Sequence, residues 1–296
     1  MWKRIRMILL QGLYASYSAS CGDGSGFFNG SRDGTLNLAV TDAPVDDASR
    51  VVVEFTGVEL RPVSGDPVRF EIDPAEAIDL LALDGAVTTL LDDEEVDAVE
   101  YDSIRLLVNS TPDVQDESFI ELDDGRTFPL VIDQADAAGL TINSNFTVRR
   151  DERRDLVIDF DLRKSVRGAT GSGANYRLRP TLRLVDASRV GTLVGEIAPI
   201  RLTTNCTPFV YIYTGGDTTP DDMGSAGNGE PLISVPVRQQ SSGQYTYRVS
   251  HLEAGTYTAA FTCDGVSDTP ASNENLSFPI RFAVAIRAGD TTTRDF

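Results

Sequence analysis

The chain has 296 residues, of which 41% are hydrophobic, and this is enough for about two domains that each bury a core. Its 45 acidic residues outnumber 26 basic ones, so the formal net charge is −19. A surface this acidic repels nucleic acid and anionic lipid headgroups, which excludes both as expected partners. The acidic surplus suits salty surroundings or an affinity for cations, and a simple solvated surface explains it as well.

Residues 1–20 have the layout of an export signal. A basic start around Lys3 precedes a short apolar stretch and small residues, and Cys21 follows. This order resembles a bacterial lipoprotein signal, in which Cys21 would carry the lipid; an ordinary cleaved secretory signal is the alternative. Residues 21–32 are rich in Gly and Ser and predict a flexible tether. Both interpretations export the protein, and a lipid anchor is the membrane attachment we expect.

Cys206 and Cys263 are the two remaining cysteines. Exported chains usually pair such cysteines, so we predict a disulfide between them. Two free thiols are the alternative.

Strand-like alternation of apolar and polar residues begins at Gly34, and convincing helical patterns are few. The stretch from Gly34 to Leu60 predicts a strand, a loop and a second strand. Asp92 to Asp97 (DDEEVD) is predicted to be a charged connection between strands. Further strands are predicted at 68–72, 101–109, 119–122, 127–131, 140–148, 156–162 and 176–185.

Five blocks of this first unit stand in a characteristic order: GTLNLAVTDAP, YDSIRLLVN, GLTINSNFTV, LVIDFDLRKSV and YRLRPTLRLVD. Together, over about residues 33–188, they resemble the bacterial exported-lipoprotein family known only as domain of unknown function 4382. The resemblance implies export and a lipid anchor. It brings no activity, cofactor or catalytic residue.

A second unit follows from about Gly191 to Phe296. The motif Leu252 to Tyr257 (LEAGTY) is similar to the turn and strand of prealbumin-like modules, which are seven-stranded sandwiches. Tyr101 in the first unit has the same spacing from its preceding turn as Tyr257, and a tyrosine there can bond back to the turn. Six strands are predicted in this unit, at 192–200, 209–213, 232–238, 245–249, 256–263 and 278–287.

The predicted fold is therefore all-β, with two β-sandwich domains of Ig-like or prealbumin-like type in tandem. The predicted organisation is a signal peptide at 1–20, a tether at 21–32, and sandwiches at 33–190 and 191–296.

Few residue patterns in the sequence indicate a catalytic or metal-binding site. His251 is the only histidine, so a multi-histidine zinc site is impossible, and its place beside the LEAGTY turn indicates a structural role. Asp159 and Asp161 share one face of a strand and could form a carboxylate pair for a hydrolase. Flanking Asp155 and Arg163 instead indicate an open, solvated face.

Calcium is a second possibility, because hard oxygen ligands cluster in two predicted loops. Neither loop has EF-hand spacing. The candidate ligands are Asp42, Asp46 and Asp47 in the first loop and Asp217, Asp221 and Asp222 in the second.

These observations predict a cell-envelope lipoprotein with no catalytic residues that binds, adheres or scaffolds. The alternatives are a carbohydrate-active hydrolase that uses paired aspartates and a purely structural surface spacer. The expected partners are the membrane, through the lipid anchor, and a glycan or another envelope protein; no cofactor is predicted except the calcium above.

Overall fold

The computed structural model describes residues 6–8, 33–43, 48–114, 116–132, 139–168, 175–179, 181–224 and 229–296. Over these residues the protein is all-β and forms two β-sandwiches, which confirms the predicted fold class. No helix in the described ranges is both long and apolar enough to cross a bilayer.

The first sandwich contains thirteen of the described strands and one turn of α-helix. The strands are β1 (Arg6–Ile8), β2 (Asp33–Ala43), β3 (Ala48–Pro62), β4 (Val68–Asp79), β5 (Thr88–Asp97), β6 (Glu100–Asn109), β7 (Phe119–Leu122), β8 (Thr127–Ile132), β9 (Leu140–Thr147), β10 (Arg153–Asp161), β11 (Val166–Arg167), β12 (Tyr176–Leu178) and β13 (Leu182–Asp186). Helix α1 (Leu162–Ser165) joins β10 to β11, and a 3₁₀ turn at Leu80–Ala82 follows β4.

These strands form two facing sheets. Sheet I has the order β1-β4-β3-β7-β8-β12-β11, and β6 pairs with both β3 and β9. Sheet II has the order β13-β10-β2-β5. Strands β2 and β3 therefore lie in different sheets, although they are neighbours in sequence. Their inward side chains meet in one core, to which β2 contributes Leu36, Leu38 and Val40 and β3 contributes Val53 and Phe55.

The second sandwich contains eight described strands. They are β14 (Val190–Glu196), β15 (Phe209–Thr214), β16 (Ile233–Pro236), β17 (Arg238–Gln239), β18 (Tyr245–Glu253), β19 (Gly255–Thr262), β20 (Ile280–Ile286) and β21 (Thr291–Thr293). Sheet III has the order β17-β18-β14-β21, and sheet IV has the order β16-β15-β19-β20. A separate core of side chains such as Leu193, Val210 and Phe261 fills the space between them.

Two strand predictions are wrong. The acidic segment Asp92 to Asp97 belongs to β5 and pairs with β2, because Leu91 and Val96 supply buried side chains while all its acidic residues except the half-buried Glu94 are exposed. The predicted strand 176–185 is two strands in different sheets, β12 and β13. Short strands β1, β11, β17 and β21 were not predicted.

Two tyrosines confirm the predicted bond to the preceding turn. The Tyr101 hydroxyl donates to the backbone oxygen of Asp97 at 2.9 Å, and the Tyr257 hydroxyl donates to that of Glu253 at the same distance. Burial raises the pKa of Tyr101 to about 12, so this hydroxyl remains a donor at neutral pH.

The predicted disulfide is also confirmed. Cys206 and Cys263 are bonded, with their Cα atoms 4.5 Å apart. Both cysteines pack against the core of the second sandwich. The bond therefore fixes the segment before β15 to the end of β19.

Candidate functional site

The outer face of sheet II carries the acidic side chains of β10. Leu156, Ile158 and Phe160 face the core, so Asp159 and Asp161 point to the opposite side. The sequence predicted an open, solvated face here, and this prediction is wrong. Asp159 is only 3% exposed and Asp161 only 5% exposed. The reason is tertiary: the second sandwich packs on this side of the first.

Both aspartates have structural partners. The guanidinium group of Arg183, on the adjacent strand β13, donates to Asp159 Oδ2. Asp161 Oδ1 accepts the backbone N–H of Lys164 at 3.2 Å and so caps helix α1. Neither carboxyl group lies on an open face where a polysaccharide could reach it.

Arg163 extends from helix α1 into the second sandwich. Its guanidinium group donates to Ser234 Oγ and to the backbone oxygen of Gly265, both at 2.7 Å. It also donates to the Tyr211 hydroxyl at 3.3 Å. The same group lies 4.3 Å from the centroid of the Phe209 ring, a cation–π contact. Arg163 is a buried cation whose contacts come largely from the other sandwich.

Lys164 makes a second contact between the sandwiches. Its Nζ atom donates to Glu230 Oε1 at 2.9 Å and to the backbone oxygen of Pro231 at 2.6 Å. The Lys164 side chain is 9% exposed. We call this contact region the junction. It consists of Asp159, Asp161, Arg163, Lys164 and Arg183 from the first sandwich and Tyr211, Glu230, Pro231, Ser234 and Gly265 from the second.

Asp161 has an unusual titration within the junction. Burial raises its pKa to about 6, although the charge and the backbone N–H of Lys164 both act to lower it. Its Oδ2 atom has no hydrogen-bond partner within the described residues. Because the folded chain binds this proton more tightly than the unfolded chain, Asp161 disfavours folding increasingly as the pH rises from about 4 to about 6.

We therefore expect Asp161→Asn to stabilise the protein relative to wild type at pH 7, by up to about 3 kcal/mol, and to have little effect at pH 4. An asparagine can still accept the Lys164 N–H through its side-chain oxygen. Urea unfolding at several pH values measures the difference. Asp66→Asn, at an exposed loop position, is the matched control. A difference that does not change with pH contradicts the prediction.

His251 lies at the same interface. Burial lowers its pKa, and the charges of Asp159 and Arg183 act on it as well, so the imidazole is neutral at pH 7. Its backbone has φ of +55° near the end of β18. These features fit the structural position predicted for His251.

A group of three carboxyl groups, Asp222, Asp268 and Glu274, lies next to the junction, and their ligating oxygens are within 4.8 Å of one another. The Tyr211 hydroxyl and the Met223 backbone N–H donate to Asp268. The Glu274 backbone N–H donates to Asp222 Oδ2 at 2.6 Å. Burial raises the pKa of both Asp222 and Asp268. Oxygen donors of this type match the ligands that calcium prefers.

This group contains only one residue of the predicted second calcium loop. Asp217 is 97% exposed and lies 3.5 Å from Arg281, and Asp221 accepts the backbone N–H of Asp222. Asp268 and Glu274 were not predicted, because no local spacing pattern connects them with Asp222.

Most of the other candidate residues lie outside the described part of the chain. In the first calcium loop, Asp42 lies in β2, whereas Asp46 and Asp47 are outside the described residues. Cys21 is also outside them. The calcium and lipidation hypotheses for these residues stay predictions.

The calcium hypothesis predicts that calcium raises the melting temperature of the EDTA-treated protein, because a ligand of the folded state stabilises it. Asp222→Asn is expected to abolish this increase, and Asp217→Asn is the matched control that retains it. Differential scanning fluorimetry with and without calcium makes the comparison. A wild-type melting temperature that calcium does not change ends the hypothesis.

Most of the arginines near the start of β10 form salt bridges with neighbouring acidic side chains. This leaves less free positive charge for an acidic glycan there. The pairs are Arg149 with Glu152, Arg153 with Asp93 and Asp155, and Arg154 with Asp186.

The fold and the site together define a class of protein: an all-β protein in which two sandwiches share a buried polar junction. Residues 33–180 match the family model described as a domain of unknown function, DUF4382. The match covers half of the chain, and the chain belongs to this family. No curated protein matches the sequence.

Three solved structures are similar at low identity. The TIE protein of Bacillus anthracis is 10% identical, with a TM-score of 0.21, and the match covers 88% of this chain and 33% of that one. A leucine-rich repeat protein from Bacteroides thetaiotaomicron is 11% identical, with a TM-score of 0.22, and coverage is 90% of this chain and 26% of that one. The chain thus spans about a third and a quarter of their lengths. The minor pilin GBS52 of Streptococcus agalactiae is 12% identical, with a TM-score of 0.21, and coverage is 88% and 94%. TM-scores this low do not establish a common fold.

Proposed function

We propose that this protein is an exported cell-envelope module without catalytic activity that serves scaffolding or adhesion. The observation that supports this most is the junction. Asp159, Arg163 and Lys164 are charged side chains of the kinds that enzymes use. Here Arg183 of the same sandwich binds Asp159, and Arg163 and Lys164 bind groups of the second sandwich. Groups engaged in this way favour a fixed two-sandwich unit over a reaction centre.

Export is supported by the disulfide, since disulfides persist in oxidising compartments and are rare in the cytosol. We propose that a lipid on Cys21 anchors the module to the outer membrane or cell surface. Its binding partner is a glycan or another envelope protein, and it meets loops at one end of a sandwich.

Membrane fractionation together with palmitate labelling tests this proposal. We expect label in the wild-type protein and, for Cys21→Ala, loss of both the label and membrane association. Wild-type protein that fractionates with the membrane but takes up no label contradicts the anchor. Recovery of the protein from the cytosol with Cys206 and Cys263 reduced contradicts export.

The hydrolase alternative is tested by incubating the protein with envelope polysaccharides and measuring newly released reducing ends. We expect no release. We also expect Asp159→Asn to lower stability, because it weakens the ion pair with the Arg183 side chain. Turnover by the wild type that Asp159→Asn abolishes without loss of stability contradicts the proposed function.

A further inference from the structure

Three strands of seven residues or more lie at the end of a sheet in the described part of the chain: β5, β9 and β20. A strand in this position presents backbone N–H and C=O groups on one side to whatever lies beyond the sheet. Such an edge can pair with a strand of another molecule unless charge or shape prevents it. Two of these three edges carry opposite charge.

The edge of β20 is basic. Arg281 and Arg287 lie on or directly after it, and no acidic residue occurs between Glu274 and Asp290. Its pairing with β19 runs from Ile280 to Ile286 without a register shift, so the edge is regular. The negative charge of Asp217 lies 3.5 Å from Arg281, but Asp217 is 97% exposed, so this pair is weak.

The direction of the backbone groups along β20 follows from one hydrogen bond. The Thr292 hydroxyl donates to the backbone oxygen of Ala285 from the side away from β19. Backbone groups alternate along a strand, so those of Arg281 and Ala283 also point away from β19. Both side chains are exposed. The first half of β20 therefore offers a short, accessible edge.

The edge of β5 is acidic. Five of the six residues from Asp92 to Asp97 are acidic, and no basic residue occurs between Arg69 and Arg105. Of these acids, Asp93 pairs with Arg153. The segment Glu94–Asp97 pairs with β2 in a continuous register, beyond the irregular part of the strand. The Asp97 backbone oxygen already accepts the Tyr101 hydroxyl and the Val99 N–H, so the open acidic edge consists of the three residues Glu94–Val96.

We propose that β5 of one copy of this chain pairs with β20 of the next copy, which extends sheet II of the first molecule into sheet IV of the second. The two edges belong to different sandwiches of the same chain. The contact is therefore heterologous, and its repetition gives an open head-to-tail series. This inference rests on the proposed scaffolding function and names its partner as a second copy of the chain.

Sedimentation velocity of the purified full chain over a wide concentration range tests the inference. We expect species larger than a dimer to accumulate with concentration, and more strongly at low salt because the edges are charged and exposed. Ala283→Pro removes the outward backbone N–H and is expected to weaken association about tenfold or more. Ala283→Thr keeps that N–H and is the matched control.

Charge exchange supplies a second test, which does not depend on how well the proline variant folds. Arg281→Glu and Glu95→Arg are each expected to weaken association, and the double variant is expected to restore it. A chain that stays monomeric at every concentration overturns the inference. So does a closed dimer, or association that none of these variants alters. None of these results bears on membrane fractionation or labelling, so the proposed function is judged separately.

Discussion

Arg163→Met is expected to lower the free energy of unfolding by about 3 kcal/mol and to separate unfolding into two transitions. Methionine preserves much of the aliphatic volume but leaves the buried oxygens of Ser234 and Gly265 without their donor, and each such loss costs about 1–3 kcal/mol. The two sandwiches have separate cores, so each can unfold by itself once the junction is weakened. Urea unfolding, followed by two probes, measures both effects.

The matched control is Arg149→Met, because the Arg149 side chain is 74% exposed and the glutamate with which it pairs is exposed as well. We expect this change to alter stability by no more than about 0.5 kcal/mol. An Arg163→Met variant with wild-type stability and a single transition contradicts the importance of the junction.

Replacing Cys206 and Cys263 together with alanine is expected to lower the free energy of unfolding by about 4 kcal/mol. The bond closes a loop between residues 57 apart in sequence, and opening it returns conformational entropy to the unfolded chain. The loss should fall on the second sandwich, because both cysteines pack against its core. Calorimetry of the variant and of reduced wild type measures it.

The internal control is the response to reductant. Dithiothreitol should lower the melting temperature of the wild type towards that of the double variant, and it should leave the variant unchanged. A wild-type melting temperature that is insensitive to full reduction contradicts the expected stabilisation.

Strands in which apolar and polar residues alternate regularly could be predicted from the sequence, because the apolar side chains share one face and that face is buried. Leu36, Leu38 and Val40 are an example. The acidic part of β5 could not be predicted as a strand, since five acidic residues within six indicate a solvated connection. Only its pairing with β2 makes the segment a strand. Local pattern also could not show that β2 and β3 belong to different sheets.

The junction was not predictable for a related reason. Asp159, Asp161 and Arg163 read as the polar face of a strand, and nothing local marks a polar face that another sandwich will cover. One weak signal was present: Lys164 is the only lysine besides Lys3 in a chain that otherwise uses arginine. Likewise, Asp222 was a candidate ligand, but its neighbours Asp268 and Glu274 come from distant loops.

The reactivity of Lys164 tests the central claim, that the charged face of β10 and α1 is a buried junction, most directly. An amine-reactive reagent modifies exposed lysines, and Lys3 and Lys164 are the only lysines, so peptide mass spectrometry can follow Lys164 alone. We predict that Lys164 stays unmodified in the folded protein, where Glu230 and Pro231 hold its ammonium group, and reacts fully in urea. Rapid modification of Lys164 in the folded protein contradicts the buried junction.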